Sequence, residues 1–219
     1  KDMNRLKYSL IAIFAFGSLA VFGQKSTGAA QFPELTPDVR GVGMGNSGVA
    51  ATANAFSIYR NAAKSIFSTP KAEIGYSFTP WLRELSKGSN LHGVAGYWNL
   101  DEKQGITAGF RWFNHSETNI WDKDGNDAGT FTPKDWSVDV GYARKLTDDL
   151  SVGATARFIR SDMRGLDKDD VANAVAFDLG LYYRRNFENW EQSQWAVGLQ
   201  ASNFGTKIDY GYGKYDQAS

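Results

Sequence analysis

From Lys71 onward apolar and polar residues alternate one by one, the period of two that marks a half-buried strand rather than a helix. In residues 72–79 one face carries Ala72, Ile74, Tyr76 and Phe78, and the other Glu73, Gly75, Ser77 and Thr79. Residues 104–113 set Ile106, Ala108, Phe110 and Trp112 against Gly105, Thr107, Gly109 and Arg111. Residues 135–143 set Trp136, Val138, Val140 and Tyr142 against Ser137, Asp139 and Gly141. The same pattern recurs in 150–158, 175–184 and 195–202, and less tidily in 91–100, where Val94 and Trp98 share a face. Seven strands are predicted, each with one apolar face.

A soluble β-sandwich alternates too, so strand length and connections decide the class. These segments run to about 9–12 residues, against ~5–6 in most soluble sheets. At about 3.3 Å per residue and a tilt near 40°, they cover roughly 25 Å, the height of the apolar band of an outer-membrane barrel. The connections alternate between short turns (101–103, 146–149, 187–194) and longer loops (81–90, 115–134, 161–173), the asymmetry that separates the two ends of bacterial barrels. Threaded this way, Phe78, Trp112, Trp136 and Phe158 come near the loop end of the apolar face. Trp98, Tyr142, Tyr183 and Trp195 come near the turn end, so two aromatic belts emerge. The expected fold is an all-β, antiparallel transmembrane barrel occupying residues 71–219.

Composition agrees once a barrel is considered. A mean hydropathy of -0.42 rules out a bundle of apolar helices but suits strands whose two faces average out. Aromatics make up 14% and glycines number 23, as girdles and a crowded lumen require. Basic and acidic residues balance at 24 each, which gives no global field to attract nucleic acid. No cysteine is present, so disulfides, thiolate metal sites and thiol catalysis are excluded. The only long apolar run, Ser9 to Gly23, follows a basic start and would span about 22 Å as a helix. That is too short for a hydrocarbon core, and residues 1–23 read as a cleaved secretory signal.

The predicted lumen face carries Arg111, Asp139, Arg157, Asp178 and Arg184, which are expected to pair across strands as structure. Residues 24–70 lack alternation and read as a plug or periplasmic segment on the turn side of the first strand. Within it, Gly43-Met44-Gly45-Asn46-Ser47-Gly48 matches G-x-G-x-x-G, but neither the strand before it nor the acidic residue about 20 positions later is present. These glycines are expected to let backbone pack closely against the lumen or wall. His92 and His115 have no serine and acid tied to them in sequence, so no catalytic site is expected. The loop Asp122-Lys123-Asp124-Gly125-Asn126-Asp127 departs from a calcium-binding loop at its sixth position, Asp127, and its twelfth, Pro133, and reads as a solvated turn. No metal or cofactor is expected.

Several segments together resemble the PorV family of the type IX secretion system. They are Thr36-Pro37-Asp38-Val39-Arg40 with Gly43-Met44-Gly45, then Asn61-Ala62-Ala63-Lys64, then Ser77-Phe78-Thr79-Pro80-Trp81-Leu82-Arg83. The likeness continues through Gly96-Tyr97-Trp98 and Gly141-Tyr142-Ala143-Arg144. The resemblance implies a place in the superfamily of the fatty-acid transporter FadL, a barrel of 14 strands, and an outer-membrane location in a Gram-negative bacterium. This chain would then be the N-terminal part of a longer barrel. It also implies a non-enzymatic role, receiving secreted cargo and carrying it to the surface attachment machinery. Partners would be outer-membrane lipid, cargo and secretion components. Trp81, Leu82, Ile120 and Trp121, apolar residues in long loops, are the candidate cargo contacts. A FadL-like channel for hydrophobic small molecules, or a structural paralogue, are the alternatives.

Overall fold

The structure is a computed structural model that describes residues 32–84, 88–122, 124–163, 171–187 and 193–206. The expected signal segment, 1–23, lies outside these residues, as does the polar stretch after the seventh predicted strand. In chain order the strands are β1 (Ala72–Pro80), β2 (Asn90–Asn99), β3 (Gln104–Asn114), β4 (Thr118–Trp121), β5 (Asp127–Phe131), β6 (Lys134–Lys145), β7 (Leu150–Asp162), β8 (Val171–Asn186) and β9 (Gln194–Gly205). Seven of them form one antiparallel meander in the order β1-β2-β3-β6-β7-β8-β9. All seven predicted strands are there. The wall is all-β and open: β1 and β9 each have one strand neighbour among the described residues.

The wall is turned inside out relative to a soluble sheet. Its outward face exposes Ile74 (79%), Leu199 (64%), Leu179 (60%) and Val140 (59%), whereas Asp139 (0%) and Arg111 (1%) are buried on the inward face. Apolar outside and polar inside is the arrangement of a sheet solvated by hydrocarbon. No helix of the described residues is long and apolar enough to cross a membrane. Register aligns the aromatic residues of the loop end: Phe78 lies opposite His92, His92 opposite Trp112 and Trp112 opposite Trp136. Trp136 in turn packs on Phe158, with ring centroids 5.6 Å apart. At the turn end Tyr183 and Trp195 stack at 5.1 Å.

Two differences from the sequence reading concern the long connections. β7 runs on to Asp162 and β8 begins at Val171, because Ile159 pairs with Ala174 and Ser161 with Ala172, extending the buried inward face. The connection between β3 and β6 also contains a separate hairpin, β4–β5, joined by a turn in which the Asp122 carboxylate accepts from the Asp124 and Asn126 amides at 2.9 and 2.8 Å. Those bonds hold Asp122 below the usual carboxylate range. The calcium-like spelling folds as a turn in which backbone amides of the loop itself bond the Asp122 carboxylate.

The segment before β1 forms the 3-10 turn η1 (Phe32–Glu34), a short helix α1 (Val39–Gly43) and the 3-10 helices η2 (Ala55–Tyr59) and η3 (Ala62–Phe67). Sequence alone leaves this segment as a plug or a periplasmic segment, and its described part lines the inward face of the wall. Phe32 packs near the loop end with Leu91, Phe113 and Ile159, and Ile66 and Phe67 pack near the turn end with Ala143 and Tyr182. Local capping explains the break between the two 3-10 helices. The Asn61 side chain accepts from the Ala63 amide at 3.0 Å and starts η3, while Asn54 and Ser57 cap η2 reciprocally.

Candidate functional site

Contact between plug and wall depends on glycines of the wall. A Cβ on Gly180 would stand 2.3 Å from the Asn61 Oδ1, and one on Gly153 2.5 Å from the Ala63 nitrogen. Gly93, Gly109 and Gly198 are covered in the same way by Pro37, Tyr59 and Val49. The plug thus lies directly on the strand backbones, and its polar groups bond to them. Asn61 Nδ2 donates to the Leu181 carbonyl at 3.0 Å, Tyr59 Oη to that of Val94 at 3.1 Å, and Ser151 Oγ to that of Ala63 at 2.7 Å. The signal for this was present in the sequence as glycines on the polar face of successive strands, but only the fold shows what covers them.

The five lumen charges separate into two groups. Arg111, Asp139, Arg157 and Asp178 form one buried chain across β3, β6, β7 and β8. Arg111 lies 3.4 Å from Asp139, Arg157 pairs with that same carboxylate, and Arg157 reaches Asp178 at 2.9 Å. Ser137 donates to Asp139 at 3.0 Å and receives from Arg111 at 3.1 Å. The plug closes the chain from the other side: Arg111 donates to the Leu35 carbonyl at 3.1 Å, and its guanidinium stands 4.6 Å from the Tyr59 ring. At its far end, Asp178 accepts from the Asn203 amide at 2.7 Å, where β9 carries an irregularity and Asn203 has φ +62°. Arg184 stands apart at the turn end, stacked 4.6 Å over Phe67 and donating to the Phe67 carbonyl at 3.1 Å.

One further charge escaped the sequence reading. Lys64 is fully buried in η3, and its Nζ donates to the Gly48 carbonyl at 2.7 Å. Burial pulls its ammonium down to about 8, with Asp38 opposing and Arg40 and Arg60 reinforcing the shift. The family-like motif also splits between two roles. Pro37 and Asp38 are buried, Asp38 accepting from Asn54 Nδ2 at 3.1 Å, while Arg40 reaches outward to the Thr52 hydroxyl at 2.9 Å. Gly43 at the end of α1, Met44 and Gly45 are exposed, and a Cβ on either glycine would meet nothing within 4 Å, so of the three glycines the expected close packing is found at Gly48, which is buried with Arg60 Cγ 3.2 Å from where its Cβ would stand. The physical reason is that Gly45 is needed for its φ of +70°, not for approach.

At the loop end, Trp81 is folded inward rather than exposed. It meets Phe113 edge-on at 6.1 Å, follows directly on Pro80 at the end of β1, and donates its amide to the Ser89 carbonyl at 2.9 Å. Leu82 beside it is 57% exposed with φ +44°. In the β4–β5 hairpin Ile120 is half-buried opposite Gly129, and Trp121 is 59% exposed. His115 bonds Asp135 at 2.6 Å, while His92 bonds the Tyr76 hydroxyl at 2.8 Å on the outward face. No nucleophile–base–acid array links the two histidines to a serine among the described residues.

A plug against the inward face, an inverted wall and projecting loops are the features of a barrel-type component. The family profile described as type IX secretion system protein PorV matches residues 23–218, which takes in both plug and wall. The chain belongs to the PorV family. No curated protein matches it. Membership makes it a type IX secretion system protein, and of the family motif residues Pro37 and Asn61 join the plug to the wall while Asp38 bonds within the plug.

Proposed function

We propose that this chain acts in the outer membrane, delivered there by its N-terminal signal, as a non-enzymatic barrel component that binds secreted cargo at its loop end and hands it to the attachment machinery at the surface. The observation that carries this reading is the packed interior. Plug backbone lies on wall glycines, and a buried charge chain ties plug to wall, so the inward face of the described wall is taken up by the chain's own plug. What remains available to a partner is the loop end, where Leu82 and Trp121 are exposed apolar side chains that the barrel itself does not use. The inverted wall supports placement in lipid, where both open edges of the sheet need strand partners.

The test is a pull-down from a secreting strain. Tagged protein should capture cargo carrying its secretion signal, and Leu82→Asp with Trp121→Asp should lower that capture while leaving the barrel folded. Undiminished capture would remove the loop end from the reading, and an absence of cargo from the wild-type pull-down would overturn the reading itself.

A further inference from the structure

On the outward face, the loop end of β6 and β7 carries two cations in an aromatic setting. Lys134 and Trp136 alternate outward on β6, and Phe158 and Arg160 on β7. Register sets Arg160 directly opposite Trp136, so Lys134 and Arg160 are diagonal neighbours, whose Cβ atoms in such a ladder are within about 7–8 Å. That separation lets two long side chains converge on one phosphate. Below them the ring of Trp136 packs on Phe158 at 5.6 Å and on Phe110 at 6.4 Å, an apolar floor continuous with the outward wall.

Neither cation has a counter-ion or a hydrogen-bonding side chain among the described residues. Asp162, opposite Lys134, is engaged in an interaction of its own. By contrast the inward arginines Arg111 of β3 and Arg157 of β7 are paired with carboxylates. Two cations without a counter-ion among the described residues, above an aromatic, apolar floor, are complementary to an anionic amphiphile: phosphate on the cations, acyl chain on the rings. We infer that Lys134 and Arg160 bind the phosphate of a membrane lipid in the leaflet at the loop side, and that Trp136 and Phe158 seat its chain. The inference rests on the lipid-facing reading of the wall given above.

The test uses the full chain in phosphatidylcholine nanodiscs, with tryptophan fluorescence quenched by brominated lipids. Brominated phosphatidic acid should quench with an association constant about tenfold above that of brominated phosphatidylcholine. Lys134→Gln with Arg160→Gln should bring the ratio close to unity, and Arg144→Gln, an outward cation at the turn end, should leave it unchanged. A preference that is absent, survives the double variant, or falls equally in Arg144→Gln overturns the site. Loss of the preference on adding inorganic phosphate alone would assign the cations to free phosphate and overturn the lipid. Failure of both brominated lipids to quench would instead overturn the lipid-facing reading of the wall.

Discussion

Replacing Asp139 by alanine removes the carboxylate on which the lumen charge chain turns. Asp139 is fully buried and bonded by Arg111, Arg157 and Ser137. Arg157 keeps Asp178 at 2.9 Å after the change, but Arg111, 1% exposed, loses its carboxylate and keeps the Leu35 carbonyl and the Tyr59 ring. Breaking a buried pair by deleting one partner costs about 3–5 kcal/mol, because the remaining charge cannot recover its hydration. Removing both charges tells a different story. Asp139→Leu combined with Arg111→Met leaves Arg157 and Asp178 as a neutral pair and should recover much of the loss, since apolar replacement of an ion pair is often close to neutral. Guanidinium unfolding of the full chain in detergent micelles, followed by tryptophan emission, measures both. A single variant within 1 kcal/mol of wild type, or a double variant less stable than the single, would refute the reasoning that these charges are desolvated and mutually dependent.

Other outcomes follow from the same structure. Gly180→Ala and Gly153→Ala should each destabilise by about 1–3 kcal/mol through overpacking, and should loosen the plug before the wall, read as faster trypsin cleavage in the plug at Arg60. Lys64 gives a pH signature. Its folded value of about 8 lies below the ordinary 10.5, so between these the unfolded chain binds the extra proton and stability rises with pH, by about 3 kcal/mol in full. Unfolding midpoints taken from pH 8 to 10 should therefore increase, and Lys64→Met should flatten the rise. Trp81→Ala should cost about 2–3 kcal/mol of loop-end packing against Phe113, whereas Leu82→Ala and Trp121→Ala should change stability by no more than about 0.5 kcal/mol. Thermal unfolding of the three variants side by side checks that division.

The wall was legible because a strand in this setting has little freedom. Along each wall strand successive residues face outward and inward in turn, and a slip of one residue would reverse both faces. Alternation therefore names the strands, their facing and the inward set of charges. What alternation cannot carry is pairing. That Arg157 binds Asp139 and Asp178 while Arg184 goes to Phe67 depends on which strands adjoin and at what register. The β4–β5 hairpin was missed because its strands are short and sit in a polar, glycine-containing stretch without a buried face. Trp81 was misplaced for a related reason: an aromatic in a loop looks the same in sequence whether it faces solvent or a neighbour such as Phe113.

The plug shows the division most clearly. Pro37, Asn61 and Lys64 lie in a stretch with no period, so local rules supplied caps and turns but no location. Only the tertiary structure placed that stretch along the glycines of the wall, where missing side chains let Asn61 and Tyr59 reach strand carbonyls and Arg111 reach the Leu35 carbonyl. Fold class, facing and the seven strands of the wall are properties of short-range spacing, and the sequence by itself determined them. The covering of the inward face by the plug came from contacts between residues such as Asn61 and Gly180 that lie far apart in the chain, and these only the folded arrangement decided.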